Sequence, residues 1–383
     1  ANLKSSKAAY EETLANYRQS ILVALQEVED GLIDARAYAK QGQALDAAIA
    51  SAQETQRLAE LLHHRRDRLE QGDPITPPLV SAATYHLPRA DAGGFIYGRM
   101  SMPTWEEVES QLAILEGGPC VSFPSGMGAI SAALFACVTA GKRVILPSDG
   151  YYTTRLFTEA FLRPFGVTVD YVATTDVERA DFTGAGVVYI ETPSNPGLEV
   201  CDIAAVAARA HAAGAVVIVD NTTLTPVLQR PLDLGADIVV AADTKAPGGH
   251  SDVLFGHVAT RDAALLQRVK DWRKLSGSVP GAFEAWLVHR GIETLEVRLE
   301  RMCASAGIIA ERLAAHPRVK KLRYPGLATD PSHQIARRQM AGFGFLIGFE
   351  LADAAAAEAF LTDCPYIVQA TSFGSTHTSG ERR

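Results

Sequence analysis

The chain has 383 residues, 36 Lys and Arg against 44 Asp and Glu for a net charge of -8, and 47% hydrophobic residues. A chain this long can bury a large core, so disorder is excluded for most of it and two or more structural units are expected. The acidic balance argues against a nucleic-acid partner, and no run approaches the roughly 18–20 apolar residues that a membrane helix needs.

In chain order, residues 1–69 lack proline and place Leu3, Tyr10, Leu14, Tyr17, Ile21, Val28 and Leu32 at intervals of three, four and seven. That spacing predicts a long amphipathic helix or helical hairpin whose seam needs a partner helix. The run AAYEETLANYRQSILVALQEVEDGL inside it resembles the periplasmic helices of TolC-type outer-membrane efflux proteins over about residues 1–60, and a generic coiled coil reads the same way. Arg65, Arg66 and Arg68 precede Glu70 and Asp73 and read as a solvated face. The five cysteines are odd in number and form no CxxC pair, so no metal site or disulfide framework is expected, and a reducing, cytoplasmic setting fits.

After the Gly72-Asp73-Pro74 and Pro77-Pro78 breaks the texture becomes α/β. Strands are expected at 143–146, 167–172, 186–191, 215–220 and 237–242, with an amphipathic helix at 203–213, giving a mostly parallel sheet flanked by helices. One helical stretch is expected over 282–316, then strands at 319–324, 342–350 and 367–371 of a smaller α+β unit. Three segments result: 1–60, helical; 61–281, the large domain with its N-terminal arm; and 282–383, a small domain that reads as truncated.

Three strings carry chemistry. Thr244-Lys245 follows a buried strand, where burial lowers an amine's pKa and leaves it able to attack an aldehyde as a Schiff-base former. Asp220 ends an apolar strand at the edge where open α/β sheets bind ligands, and a carboxylate there can keep a pyridine nitrogen protonated. Ser125-Gly126-Met127 opens an apolar helix whose N–H groups can cradle a phosphate. Singly, each has an ordinary reading as a surface lysine, a helix cap and a capped turn. Together they form the constellation that pyridoxal phosphate requires.

From about residue 61 onward, the strings YGRMSMPT, PSGM, SDGYY, ETPSNP, IVDNT, TKAPGGHSD and TSFG occur in the order found in the trans-sulfuration family of fold type I pyridoxal-phosphate enzymes, which the chain resembles. The resemblance implies the fold type I transferase fold and pyridoxal 5'-phosphate as cofactor. It implies that Lys245 is the Schiff-base lysine and proton shuttle, that Asp220 pairs with the ring nitrogen, and that Asn195 meets the phenolic oxygen. Tyr151 would stack on the ring and assist catalysis. Gly126, Met127 and Thr244 would hold the phosphate, joined by Tyr97 and Arg99 from a neighbouring subunit, so a homo-oligomer, dimer or tetramer, is expected. Ser372 would contact the substrate carboxylate. His250 reads as structural.

Several positions depart from the family pattern. Met102 replaces an asparagine, Ala242 a serine, and Tyr152 a glycine, while Thr153 stands where methionine γ-lyases carry cysteine and Thr371 where many γ-acting members carry glutamate. Loss of one hydrogen bond to a charged group at Ala242 is worth about 1.5–3 kcal/mol of cofactor affinity. The family's carboxylate-binding arginine would fall beyond Arg383, so retained cofactor binding with poor turnover is expected. The implied activity is cystathionine γ-lyase-like carbon–sulfur elimination on a small sulfur amino acid. Cystathionine β-lyase, cystathionine γ-synthase and O-acetylhomoserine sulfhydrylase remain open, as does a catalytically impaired fusion assembled through residues 1–60.

Overall fold

The computed structural model describes residues 64–87 and 93–383, together with Gln19, Gln26, Tyr38, Ala39, Gly42, Gln56, Arg57, Glu60 and Leu61. The chain divides into two compact units, Ala1–Glu60 and Leu61–Arg383. The apolar seam expected from Leu3 to Leu32, and with it the efflux-protein resemblance, lies outside the described residues. The expected helix does not run on to residue 69: His64 and Arg65 form a turn and Arg66–Arg68 a single 3-10 turn. Arg66 and Arg68 are exposed, as the solvated-face reading expects, and the segment is tied down by Arg65, which donates to the carbonyls of Pro74 (3.2 Å) and Ile75 (2.6 Å), and by Arg68, which reaches both oxygens of Glu107.

That unit is built on seven strands: β1 (Cys120–Phe123), β2 (Arg143–Pro147), β3 (Thr168–Val172), β4 (Ala185–Glu191), β5 (Val216–Asp220), β6 (Ile238–Ala241) and β7 (Gly256–Ala259). Their order is β1-β7-β6-β5-β4-β2-β3, parallel except for the two pairings that β7 makes. The central strands are apolar runs because both faces are covered. One face packs Leu146, Tyr189, Ile218 and Val240 against Leu134 of helix α2 (Gly126–Cys137), which follows α1 (Pro103–Glu116). The other packs Ile145, Val188, Val217 and Val219 against Ile203, Val206 and Ala210 of α4 (Ile203–Ala212), which follows α3 (Tyr152–Phe161). The five strands expected here match the sequence reading to within one residue at each end.

The expected helix over 282–316 is two helices. After the short α5 (Thr225–Leu228) and α6 (Ala263–Ser276), α7 (Ala282–Ile292) stops and α8 (Leu295–Ala314) restarts. The break has a tertiary cause. A Cβ on Gly291 would lie 2.3 Å from the carbonyl oxygen of Pro247 and 2.6 Å from that of Gly248, so α7 ends pressed onto the loop that follows Lys245. Arg298 of α8 then donates to the carbonyls of Ala246 (2.7 Å) and Gly291 (2.6 Å).

The smaller strands are shorter than expected: β8 (Lys321–Arg323) pairs with β9 (Gly348–Glu350), and β10 (Val368–Gln369) with β11 (Ser379–Gly380). Residues 342–347 are not strand. Gly344 adopts a φ of +79°, and Ala341 donates to the carbonyl of Leu228, so this stretch follows α5 instead of the sheet. Helices α9 (His333–Gln339) and α10 (Ala354–Asp363) complete the unit. Among the described residues, no helix is long and apolar enough to cross a membrane.

Candidate functional site

The parallel register sets Glu191 at the end of β4 opposite Asp220 at the end of β5. Both carboxylates are buried, at 3% and 4% exposure. Asp220 accepts hydrogen bonds from the Tyr189 hydroxyl (2.8 Å) and the Thr222 amide (3.0 Å). Glu191 accepts from the amides of Tyr151 (2.6 Å) and Asn195 (2.7 Å), and so fixes the backbone of two residues expected at the site. Burial, reinforced by the neighbouring Asp220, holds the Glu191 carboxyl well above its usual range. Burial raises Asp220 too, against the opposing hydrogen bonds of Thr222 and Tyr189 and the charge of Lys245.

Lys245 follows β6 by four residues and is half-buried. Its Nζ donates to Ser372 Oγ at 2.7 Å and lies 4.8 Å from the centre of the Phe373 ring. Burial lowers its pKa, with the Arg383 guanidinium acting in the same direction and Asp220 and Glu381 opposing. A share of the amine is thereby moved toward the neutral, nucleophilic form. Ser372 has a φ of +82°, a left-handed conformation that a residue other than glycine holds only when its surroundings impose it. Here they do: a Cβ on Gly374 would lie 2.6 Å from the amide nitrogen of Ala246, so the loop is pressed onto the backbone of the lysine segment.

The third element is the start of α2. Ser125 caps it, its Oγ accepting from the Gly128 amide at 3.0 Å, which leaves the N–H groups of Gly126 and Met127 without intrahelical acceptors. Gly126 is packed so closely on the segment before Lys245 that a Cβ there would lie 2.5 Å from Ala242 Cβ.

The remaining expected residues divide. Asn195 is near the site, with its Oδ1 accepting from Arg383 at 3.3 Å. Tyr151 sits at the N-terminus of α3, its ring 5.5 Å from that of Tyr152. Thr244 turns its hydroxyl to its own scaffold, donating to the Phe255 carbonyl (3.1 Å) and accepting from the Phe255 amide (3.0 Å), so no donor is left for a phosphate in this rotamer. Tyr97 and Arg99 make no contact with Lys245 within the chain. Arg99 donates to the Lys274 carbonyl at 2.6 Å and lies 5.4 Å over the Tyr97 ring, and Tyr97 is 40% exposed. His250 bonds the Gly248 carbonyl within its own loop.

Sequence reasoning missed Tyr189 and Glu191. The signal for both was period-two alternation along β4, which sends Tyr189 and Glu191 to one face with the ligand-facing strand end. It also missed a fully buried ion cluster just before the lysine. His257 Nδ1 lies 2.9 and 3.0 Å from the two Asp243 oxygens, and its Nε2 lies 3.1 Å from Glu116. Burial alone would lower its pKa, but Asp243 and Glu116 push it up to about 10, so His257 is an imidazolium.

Comparisons with known proteins agree with this geometry. The profile of the family described as Cys/Met metabolism PLP-dependent enzyme matches residues 59–379. A Streptomyces coelicolor protein described as a candidate cystathionine gamma-lyase is 45% identical over 317 residues, 81% of each chain. The L-methionine gamma-lyase of Pseudomonas putida is 40% identical over 307 residues, 76% of each chain. Among solved structures, cystathionine gamma synthase from Xanthomonas oryzae pv. oryzae in complex with cystathionine superimposes with a TM-score of 0.81 at 36% identity, covering 84% of each chain. The chain therefore belongs to the Cys/Met metabolism PLP-dependent enzyme family, has its α/β fold, and is an enzyme that uses pyridoxal phosphate. The match begins at residue 59 and gives the efflux-protein resemblance of residues 1–60 no support.

Proposed function

We propose that this family member is a cystathionine γ-lyase-like carbon–sulfur lyase, acting in the cytoplasm as a dimer or tetramer on a small sulfur amino acid. The carrying observation is the Lys245 amine, with its pKa lowered, held on Ser372 at 2.7 Å beside the buried Asp220. In this reading residues 61–281 bind the cofactor and residues 282–383 form the smaller domain.

The residues fit pyridoxal phosphate by their donor set. Asp220 is a buried carboxylate whose hydrogen bonds come from the neutral donors of Tyr189 and Thr222, so a protonated ring nitrogen would supply its missing counter-charge. The free N–H groups of Gly126 and Met127 at a helix start suit a phosphate. Asn195 would meet the phenolic oxygen and Tyr151 would stack on the ring, with Glu191 fixing both backbones. When bound, the cofactor supplies an aldehyde for an amino group and an electron-poor ring that accepts electrons from a substrate carbon.

The chain's own residues do the rest. Lys245 accepts the α-proton of the substrate and moves a proton to and from the next carbon, so that the γ-sulfur leaves as a thiol. Ser372 orients the amine and turns its hydroxyl to the substrate carboxylate once the lysine swings away. The Tyr189 hydroxyl and Thr222 amide favour the ionised form of Asp220 against the burial that raises its pKa, and a protonated ring nitrogen would tip that balance to the carboxylate. Tyr97 and Arg99, exposed on the arm, serve the site of a neighbouring subunit.

The test is a near-visible absorption spectrum of the chain with pyridoxal phosphate, beside Lys245→Ala, followed by cystathionine. We expect a yellow band only where Lys245 is present, then cysteine, ammonia and 2-oxobutanoate. Pyruvate and homocysteine would instead mean β-elimination, and product only on adding an activated homoserine would mean synthase or sulfhydrylase chemistry. A band that survives in Lys245→Ala would overturn the assignment of the lysine.

A further inference from the structure

Away from the sheet edge, His64, Glu107 of α1 and His289 of α7 each offer one ligand atom, and these three atoms lie within 4.8 Å of one another. The cluster is largely enclosed, with side-chain exposures of 6% for His64, 16% for Glu107 and 3% for His289. His64 Nδ1 is 2.8 Å from the Leu61 carbonyl, which makes it the protonated nitrogen and turns Nε2 toward Glu107. His289 Nε2 is buried without a hydrogen-bond partner, while its Nδ1 lies 3.9 Å from Glu293, beyond hydrogen-bond reach. An Nδ1–H fixed on a carbonyl with Nε2 aimed inward, as in His64, is how metal-binding histidines are set by their surroundings. His64 Nε2 already stands 3.3 Å from Glu107 Oε2, close to the separation of two ligands that each lie about 2.0–2.2 Å from a tetrahedral ion.

We propose that His64, Glu107 and His289 bind one divalent cation of the zinc class, fastening the segment that opens the second unit to α1 and α7. Two imidazoles and one carboxylate select a borderline transition metal over magnesium or calcium, which prefer all-oxygen shells. Arg65 and Arg68 oppose a cation. Arg68 pairs with both Glu107 oxygens but is itself 53% exposed, so it can turn out to solvent when a cation takes the carboxylate. Arg65 Nε lies 3.6 Å from the same Glu107 oxygen that faces His64, so it withdraws to its bonds with the Pro74 and Ile75 carbonyls when a cation takes that oxygen. The three ligands are separated by 43 and 182 positions in the chain, far outside any metal-binding spacing, and the cysteine pattern gives no hint of them.

The experiment uses the untagged chain loaded with pyridoxal phosphate, equilibrated with zinc and dialysed against metal-free buffer, with zinc measured per chain. Wild type should keep one zinc per chain. His64→Gln and His289→Gln should each lose affinity by at least the roughly 10–100-fold that removal of an outer-shell partner costs. Cobalt in place of zinc should give visible ligand-field bands in the wild type and neither variant. Should one histidine variant fail to fold, Glu107→Gln decides by the same two readouts. Equal zinc retention by wild type and folded variants, or none by the wild type, overturns the proposal.

Discussion

Two neighbouring regions bury carboxylates in opposite ways. In the cluster before the lysine, Asp243 and Glu116 enclose His257, and the three side chains carry an imidazolium between two acids. At the strand ends, Asp220 and Glu191 stand side by side, hydrogen-bonded by a hydroxyl and three amides but ion-paired to no cation among the described residues. Burial is complete in both places, so burial alone does not set the charge state. The first region carries its counter-ion in the sequence and is scaffold. The second lacks one, and a buried acid without its partner is costly to stability. That cost is tolerated where a ligand brings the missing charge.

The sharpest way to break this contrast is Asp220→Asn. Turnover should fall by at least about 100-fold, the lower end of what a positioned proton-holding group contributes. The denaturation midpoint of the cofactor-free chain should stay level or rise, because an uncompensated buried charge is gone. A large loss of stability would show that Asp220 is scaffold after all. Next in size, His257→Leu should cost about 3–5 kcal/mol in urea unfolding, since it leaves two buried carboxylates unpaired. A change under 1 kcal/mol would remove the contrast.

The pH dependence follows with a defined sign. The folded pKa of His257, about 10, lies above the roughly 6.5 of an unfolded histidine, so its stabilisation is complete below about 6.5 and lost as pH rises toward 10. The thermal midpoint of wild type should decline across that alkaline window, and the decline should flatten in His257→Gln. Parallel slopes in the two proteins would show that other groups govern the alkaline limb.

The large sheet was legible because parallel strands covered on both faces run apolar, as β5 does through Val216, Val217, Ile218 and Val219 before it ends at Asp220. Lys245, Asp220 and the Ser125-Gly126-Met127 turn were legible because each follows or opens such an element. What was not legible depended on contacts between distant segments. The stop at Ile292 comes from the approach of Gly291 to Pro247 and Gly248, which no helical periodicity reports. The family resemblance assigns Thr244 to the phosphate, and the local ring that its hydroxyl closes with Phe255 is a contact no residue pattern reports. Alternation along β4 brings Glu191 to the strand end, but its part in the site, through the amides of Tyr151 and Asn195, leaves no residue pattern.

The interruption between α7 and α8 also bears on how far the lysine can move. Gly291 abuts the carbonyls of Pro247 and Gly248, and Arg298 grips that of Ala246, so the main chain just after Lys245 is pinned from behind. The amine's freedom is then confined to its own methylene chain, turning on a fixed pivot. In the role proposed for Lys245, an arm of set length that sweeps a short arc past Ser372 would keep a high effective concentration of base over the strand ends and return to the same place after each proton.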